Sequence, residues 1–296
     1  MNRPNPSHEQ PLELAWVGGE FVAPAAAKIS ALDRGFIFGD AVYEVIPAYG
    51  GNLFLLEPHL QRLEHSLEIT RIRNPFSHTE WRNLLADLVA RCGDHDQSVY
   101  LQVTRGVAPR DHAFPDIEPT VFCMSRPMVG VSTELLQQGL AAITTEDIRW
   151  NYCHAKTTSL IANVMLRQQA VDASADEALL LRDGQLTEGA ASNVFIVVNG
   201  QLLTPPAGEQ LLHGITRERI LELASKEGIP VAEQQISEQQ LREADEICIS
   251  SSTKAILPVT RLDGTAVGTG SPGPVWKAMW RAYQMEIEQV RRGAVG

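Results

Sequence analysis

The sequence predicts a mixed α/β protein, of the α+β kind, built from two packed domains, and three observations carry that prediction. The chain has 296 residues, more than one ordinary domain, and 44% of them are apolar, enough for a sizeable core. Short β-type runs alternate with stretches of helical periodicity along most of its length. The pattern breaks at Ser125-Arg126-Pro127 and Gly130 and resumes near Gly139, which puts a domain boundary close to Val129. The expected division is a loose arm over residues 1–11, a small α/β domain over 12–128 and a larger mixed α/β domain over 129–296.

In the first domain, LAWVGGEFV from Leu14 to Val22 sets Gly18-Gly19 between two apolar runs and reads as a hairpin. A second hairpin is expected from Tyr43 to Leu56, turning at Gly50-Gly51-Asn52. Pro58 then opens a helix through HLQRLEHSLEI. Ser77 and Glu80 have capping-box spacing ahead of a helix over Trp81 to Ala90. Strands over Val99 to Arg105 and Thr120 to Met124 flank the loop GVAPRDHAFPDIEP. In the second domain, strands are expected over Ala141 to Glu146, Glu177 to Leu181, Asn193 to Val198 and Glu246 to Ser250. Helices fit Thr157 to Ala173, Thr216 to Glu227, Ser237 to Ala244 and Pro274 to Val290, the last with Trp276, Met279, Trp280 and Tyr283 on one face.

Bulk properties narrow the function. A formal charge of −11 argues against nucleic acid, whose binders normally present a basic face. No apolar run approaches the roughly 20 residues needed to span a bilayer, and the opening MNRPNPSHEQP is polar rather than signal-like. A cytoplasmic protein without membrane contact is expected. Cys92, Cys123, Cys153 and Cys248 are scattered with no CxxC pair, which suits buried reduced thiols better than disulfides or a metal site.

Few nucleophilic amines are on offer, because the lysines are Lys28, Lys156, Lys226, Lys254 and Lys277. Lys156 stands out, lying between the polar segment EDIRWNYCH and the apolar stretch TTSLIANVMLRQQA, where a side chain would face an interdomain cleft. Taken alone, such a lysine suits a structural role as well. In LTEGAASNVF, Glu188 reads as a carboxylate held at a tight Thr187-Glu188-Gly189 turn, either solvated or set against a protonated ring nitrogen. HGITRERI leads through Gly214 and Ile215 into a helix whose free N–H groups suit an anion, as many helix starts do. The hydroxyls of ISSSTKAI can complete an anion's acceptor shell or merely form a turn.

Five segments together go further: DRGFIFGDAVYEV (Asp33 to Val45), EPHLQRL (Glu57 to Leu63), EDIRWNYCHAKTTSL around Lys156, LTEGAASNVF around Glu188 and HGITRERI around Thr216. In this order they resemble the fold type IV pyridoxal-phosphate enzymes, a group that includes branched-chain aminotransferases, D-amino-acid transaminases and aminodeoxychorismate lyases. The resemblance covers almost the whole chain. It implies pyridoxal 5′-phosphate as cofactor, Lys156 as the Schiff-base lysine and catalytic base, and Glu188 as the partner of the pyridine nitrogen. It further implies a phosphate cup made of Arg62, the backbone of Ile215 and Thr216, and the Ser252 hydroxyl. The loop QVTRGVAPRDHAFP resembles D-amino-acid transaminases in particular, so Arg110, His112 and Tyr43 are implied to hold the substrate carboxylate. In that family the partner subunit contributes the loop, which implies a homodimer. The implied activity is ping-pong transfer of nitrogen from a D-amino acid such as D-alanine to a 2-oxo acid such as 2-oxoglutarate. Branched-chain L-amino-acid or (R)-amine transamination, aminodeoxychorismate lyase activity, and cofactor binding without turnover are the alternatives. One departure is Ala190-Ala191, where close relatives often carry hydroxyls, and it thins the expected hydrogen-bond net around the cofactor.

Overall fold

A computed structural model describes residues 13–293, and the expected arm over residues 1–11 lies outside that range. The first half opens with the hairpin β1 (Leu14–Val17) and β2 (Glu20–Val22). It continues through α1 (Arg34–Phe38), β3 (Ala41–Tyr49), β4 (Asn52–Leu53), α2 (Leu56–Thr70), α3 (His78–Cys92), β5 (Gln97–Thr104) and β6 (Thr120–Pro127). Its strands form one six-stranded sheet in the order β2-β1-β6-β5-β3-β4, with every pair antiparallel.

One face of this sheet is closed by α2 and α3, which bury Leu60, Leu63, Leu67, Trp81, Leu85 and Leu88 against Val42, Ile46, Val99 and Leu101. The expected capping box is present, since the Ser77 hydroxyl accepts from Glu80 N–H while the Glu80 carboxylate accepts from Ser77 N–H at 2.8 Å. Helix α2 begins at Leu56, two residues before Pro58, because a proline without an N–H is tolerated anywhere in a first turn.

The second half contains α4 (Thr133–Gln138), β7 (Leu140–Glu146), α5 (Ile161–Asp172), β8 (Glu177–Arg182), β9 (Gln185–Gly189), β10 (Asn193–Val198), β11 (Gln201–Thr204) and α6 (Ile215–Lys226). It ends with β12 (Val231–Glu233), α7 (Glu238–Arg242), β13 (Glu246–Ser251), β14 (Ala255–Leu262), β15 (Thr265–Ala266) and α8 (Pro274–Arg291). Eight of these strands lie in the order β12-β11-β10-β13-β14-β7-β8-β9, and β15 pairs with β14. The pairs β11–β12, β14–β7 and β7–β8 are parallel and the others antiparallel.

Alternation along β10 and β13 divides the apolar side chains between two cores. Phe195, Val197 and Cys248 pack with α6 and α8, while Val194, Ile196, Ile247 and Ile249 pack with Ile236 and Leu241. Helix α8 presents Trp276, Met279, Tyr283, Ile287 and Val290 to the first of these cores, and Trp280 is partly buried against it. The same helix reaches the first half: Tyr283 meets Phe54 edge-on at 5.7 Å, and Arg291 pairs with Asp96. All four cysteines are buried and free. Among the described residues no helix is long and apolar enough to cross a membrane.

Two sequence expectations near the cleft need correction. Helix α5 starts at Ile161 rather than Thr157, because the preceding peptides bond to β3 instead of continuing a helical ladder. The Thr187-Glu188-Gly189 segment is no turn; it belongs to β9, where Leu186 pairs with Leu181 and Gly189 with Leu179 across β8.

Candidate active site

Lys156 lies in the connection between β7 and α5, and that connection is stitched to the other sheet. Its N–H donates to the Ser66 hydroxyl at 3.1 Å, and its carbonyl accepts from Tyr43 N–H at 3.0 Å. Thr157 bridges Val42, and Thr158 N–H donates to Ala41 O. The side chain is thereby aimed at the junction of the two halves, with Nζ 4.3 Å from the centre of the Tyr43 ring, which itself stacks on Tyr100. Lys28, Lys226, Lys254 and Lys277 are exposed, so Lys156 is the one lysine among the described residues in a partly desolvated setting.

Lys156 and Tyr43 line a cavity of about 470 Å³ together with Arg62, Glu188, Ile215, Thr216 and Ser252. That volume is in the range of small-molecule sites. Seven of the nine residues singled out from the sequence thus surround one cavity. Arg110 and His112 do not line it; they are exposed on the loop between β5 and β6.

Glu188 is buried and heavily bonded. Its Oε1 accepts from Arg149 Nη1, and its Oε2 accepts from Asn193 Nδ2 at 3.1 Å and Leu212 N–H at 3.0 Å. Each carboxylate oxygen has two acceptor sites, so Oε1 keeps one for a further donor. Arg149 is in turn gripped by Asp147, through Nε at 2.9 Å and Nη2 at 2.8 Å, and Asp147 also accepts from Thr187 and pairs with Arg182. Burial pushes the Glu188 carboxyl above the usual carboxylate range, against the pull of Arg149 and the bond from Leu212. A donor with positive character at the open Oε1 site favours the ionised form. Gly214 completes this corner, since a Cβ there would fall 1.9 Å from Asn193 Oδ1 and dislodge the amide that bonds Glu188.

Arg62 projects from α2 and is held by a buried carboxylate. Its Nε donates to Glu44 Oε1 at 2.8 Å, its Nη2 to Glu44 Oε2 at 2.7 Å, and its Nη1 to His213 O at 3.0 Å. Two of its five N–H groups therefore remain for a ligand. His59 Nδ1 lies 2.7 Å from Glu44 Oε2, and burial pushes the ring below its usual pKa despite Glu44, so it acts as a neutral Nδ1–H donor. Burial by itself raises the Glu44 carboxyl, but the Arg62 charge and the bonds from Arg62 and His59 outweigh it and hold it at about 2. A depressed carboxylate contributes stability above its unfolded value near 4.5 and loses it as pH falls toward 2. Glu44→Gln is therefore expected to cost about 3–5 kcal/mol at neutral pH, by leaving Arg62 buried and unpaired. Thermal melts should also show a shallower loss of stability on acidification in the variant than in the parent.

Helix α6 starts at Ile215 with Gly214 as a cap that offers no side chain, so its first-turn N–H groups meet the cavity without a capping oxygen. The Ser250 hydroxyl, on the adjoining wall, is buried without a hydrogen-bond partner. Asn163 Nδ2 donates to Ala190 O at 2.8 Å, which ties α5 to the cavity wall at Ala190.

Arg149, Asp147, Asn193 and Glu44 support the site without having been singled out from the sequence. A signal is available for one of them: Glu44 is a lone charge inside the apolar run AVYEVI, and a charge there has to be paired if the strand is buried. Among the described residues no cluster of three or more His, Cys, Asp or Glu is arranged to hold a metal ion.

Comparison with known proteins points the same way. Residues 41–262 match the family described as amino-transferase class IV. A D-alanine aminotransferase of Bacillus licheniformis is 40% identical over 270 residues, covering 91% of this chain and 95% of that protein. A D-alanine aminotransferase of Listeria monocytogenes is 39% identical over 280 residues, covering 93% and 96%. Among solved structures, the Escherichia coli branched-chain amino acid aminotransferase aligns with a TM-score of 0.88 at 28% identity, covering 92% of this chain and 93% of that one. The branched-chain aminotransferase of the archaeon Thermoproteus uzoniensis, solved with norvaline, gives a TM-score of 0.86 at 25% identity, covering 95% and 96%.

Proposed function

The chain belongs to the amino-transferase class IV family, and from that premise we propose that it transfers the amino group of a D-amino acid, such as D-alanine, to a 2-oxo acid such as 2-oxoglutarate. The observation that carries the reading is the shared cavity, where an amine, Lys156, and a buried carboxylate with an open acceptor site, Glu188, meet a helix start and an arginine. Identity near 40% to D-alanine aminotransferases over nine-tenths of the chain favours D-substrates.

Pyridoxal 5′-phosphate fits these residues. Glu188 Oε1 has a vacant site for a ring N–H, the Ser250 hydroxyl lacks a partner, and the α6 start with Arg62 offers donors to a phosphate. When bound, the cofactor supplies an electrophilic carbon for an amine and a ring that absorbs electron density. The chain does the rest. Lys156 Nζ would anchor the cofactor and, once the amino donor had taken its place, would be the free amine positioned to take up and return the donor's α-proton. Glu188, backed by Arg149 and Asp147, would be the carboxylate that accepts from the ring N–H and holds it protonated. Arg62, Ile215, Thr216 and Ser252, which line the same cavity, would hold the phosphate. Repeating the steps in reverse on a 2-oxo acid gives a ping-pong cycle.

In this reading Arg110 and His112 reach the substrate carboxylate from a second copy of the chain, with Tyr43 on the facing wall, so the working unit is a homodimer. The four buried thiols suit a reducing compartment such as the cytoplasm. Assays with D-alanine, L-leucine and a chiral aryl amine, each with 2-oxoglutarate, test the assignment. D-alanine should give a kcat/KM at least about 100-fold above the other two, a difference of about 2.7 kcal/mol in transition-state binding. Preferred turnover of L-leucine would overturn the D-selective reading in favour of the branched-chain alternative.

A further inference from the structure

The loop between β5 and β6 is exposed from Pro109 to Phe114, yet it is tied down at several points. At its base Gly106 adopts φ +116°, and a Cβ there would lie 2.1 Å from Glu118 O, so the outgoing and returning strands of the loop touch backbone to backbone. Arg34 N–H donates to Gly106 O at 2.9 Å, and Arg34 Nη1 donates to the carbonyl of Asp111, the residue between Arg110 and His112. The Phe38 ring then meets both flanking side chains: the Arg110 guanidinium is 5.2 Å from its centroid and the His112 ring 5.2 Å. Further along, the Phe114 ring centre lies 3.8 Å from the Arg105 guanidinium, which is fixed by Asp40 and by the carbonyls of Thr70 and Arg71.

These contacts share one chemical property. A guanidinium resting on a π face is held by charge and dispersion without spending its N–H donors, so the fork of Arg110 stays available for a carboxylate. An exposed loop that had to be ordered at each binding event would lose affinity to conformational entropy.

We propose that Phe38, assisted by Arg34 and Phe114, is a positioning residue that holds Arg110 and His112 as a preformed carboxylate fork. The proposal rests on the reading of Arg110 and His112 given above, and it adds a role for the Asp33 to Gly39 segment, none of which lines the cavity. Removal of the ring leaves the chemical step intact and weakens capture of the carboxylate.

The test is steady-state kinetics on the holoenzyme with D-alanine and 2-oxoglutarate for the parent, Phe38→Ala, Phe38→Tyr, Phe114→Ala and Arg110→Ala. Phe38→Ala is expected to raise KM about tenfold while kcat stays within about twofold, the pattern of lost ground-state and transition-state binding alike. The cofactor's absorption spectrum should not change, and Phe38→Tyr, which keeps the ring, should restore the parent KM. Should Phe38→Ala fold poorly, Phe114→Ala, at an exposed position, should show the same rise confined to KM. Parent-like KM in both alanine variants alongside a raised KM in Arg110→Ala would overturn the positioning role and leave the carboxylate assignment standing. Parent-like KM in Arg110→Ala would instead remove the assignment on which the proposal rests.

Discussion

Lys156→Ala is expected to lower kcat for transamination by roughly 10³-fold or more, about 4 kcal/mol of barrier, because in the proposed mechanism one amine serves as covalent anchor, base and acid in turn. No other lysine among the described residues can substitute. Lys254, on the segment after β13, is exposed, and Lys28, Lys226 and Lys277 lie on surfaces outside the cavity. The variant should fold, since the ties of residue 156 to Ser66 and Tyr43 are made by its backbone and survive truncation. Borohydride treatment followed by mass measurement should fix cofactor to the parent chain and not to the variant. A small added amine such as ethylamine should recover part of the turnover, since truncation leaves space beside the Tyr43 ring. Turnover within tenfold of the parent would mean that the proton moves by another route.

The parts of this site that depend on local chemistry are legible in the sequence, and the parts that depend on distant partners are not. Ser77 and Glu80 cap each other across three residues, so the start of α3 can be read from four letters. Strand β10 and the apolar face of α8 follow from short-range periodicity in the same way. By contrast β9 contains Thr-Glu-Gly, a turn-like string, and becomes a strand because β8 pairs with it and Asp147 bonds Thr187 from 40 positions away. Strand β14 is masked by Pro258, which lacks a ladder donor yet sits opposite Cys248 in the sheet interior, next to an irregularity in the pairing with β7. The start of α5 is hard to place because Lys156 and Thr158 give their hydrogen bonds to the other half of the molecule, which no window of sequence reveals.

The same distinction explains the electrostatics. Glu188 can be named as a candidate ring-nitrogen partner from its motif, but its charge state is set first by burial and then, in opposition, by Arg149, 39 positions away, which Asp147 holds in place. Glu44 and Arg62 face each other because alternation on β3 turns Glu44 toward α2 while Tyr43 turns toward the cavity. One strand thus supplies the carboxylate that holds Arg62 on one face and a wall of the cavity on the other.

Glu188→Gln is expected to cut kcat by about 10²–10³-fold, the usual effect of removing one preorganised electrostatic contact at a reacting group. The substitution is isosteric but cannot be silent. Whichever way the new amide turns, its NH₂ faces either Arg149 Nη1 or the donors Asn193 Nδ2 and Leu212 N–H, so at least one buried donor loses its acceptor at about 1–3 kcal/mol. The pH dependence separates this loss of fit from the loss of charge. Burial raises the Glu188 carboxyl, so its protonated form is favoured on folding: this contribution to stability is present below the ordinary carboxylate range and is lost as pH rises through the folded value. Glu44 contributes with the opposite sign, gaining as pH rises above about 2. In melts of the cofactor-free protein, Glu188→Gln should therefore remove the component that declines with rising pH and leave the acid-side rise due to Glu44 in place, while activity of the cofactor-loaded enzyme falls across the whole range. A kcat within about threefold of the parent, in a variant whose melting profile changes as described, would show that charge beneath the ring nitrogen is not what this carboxylate contributes.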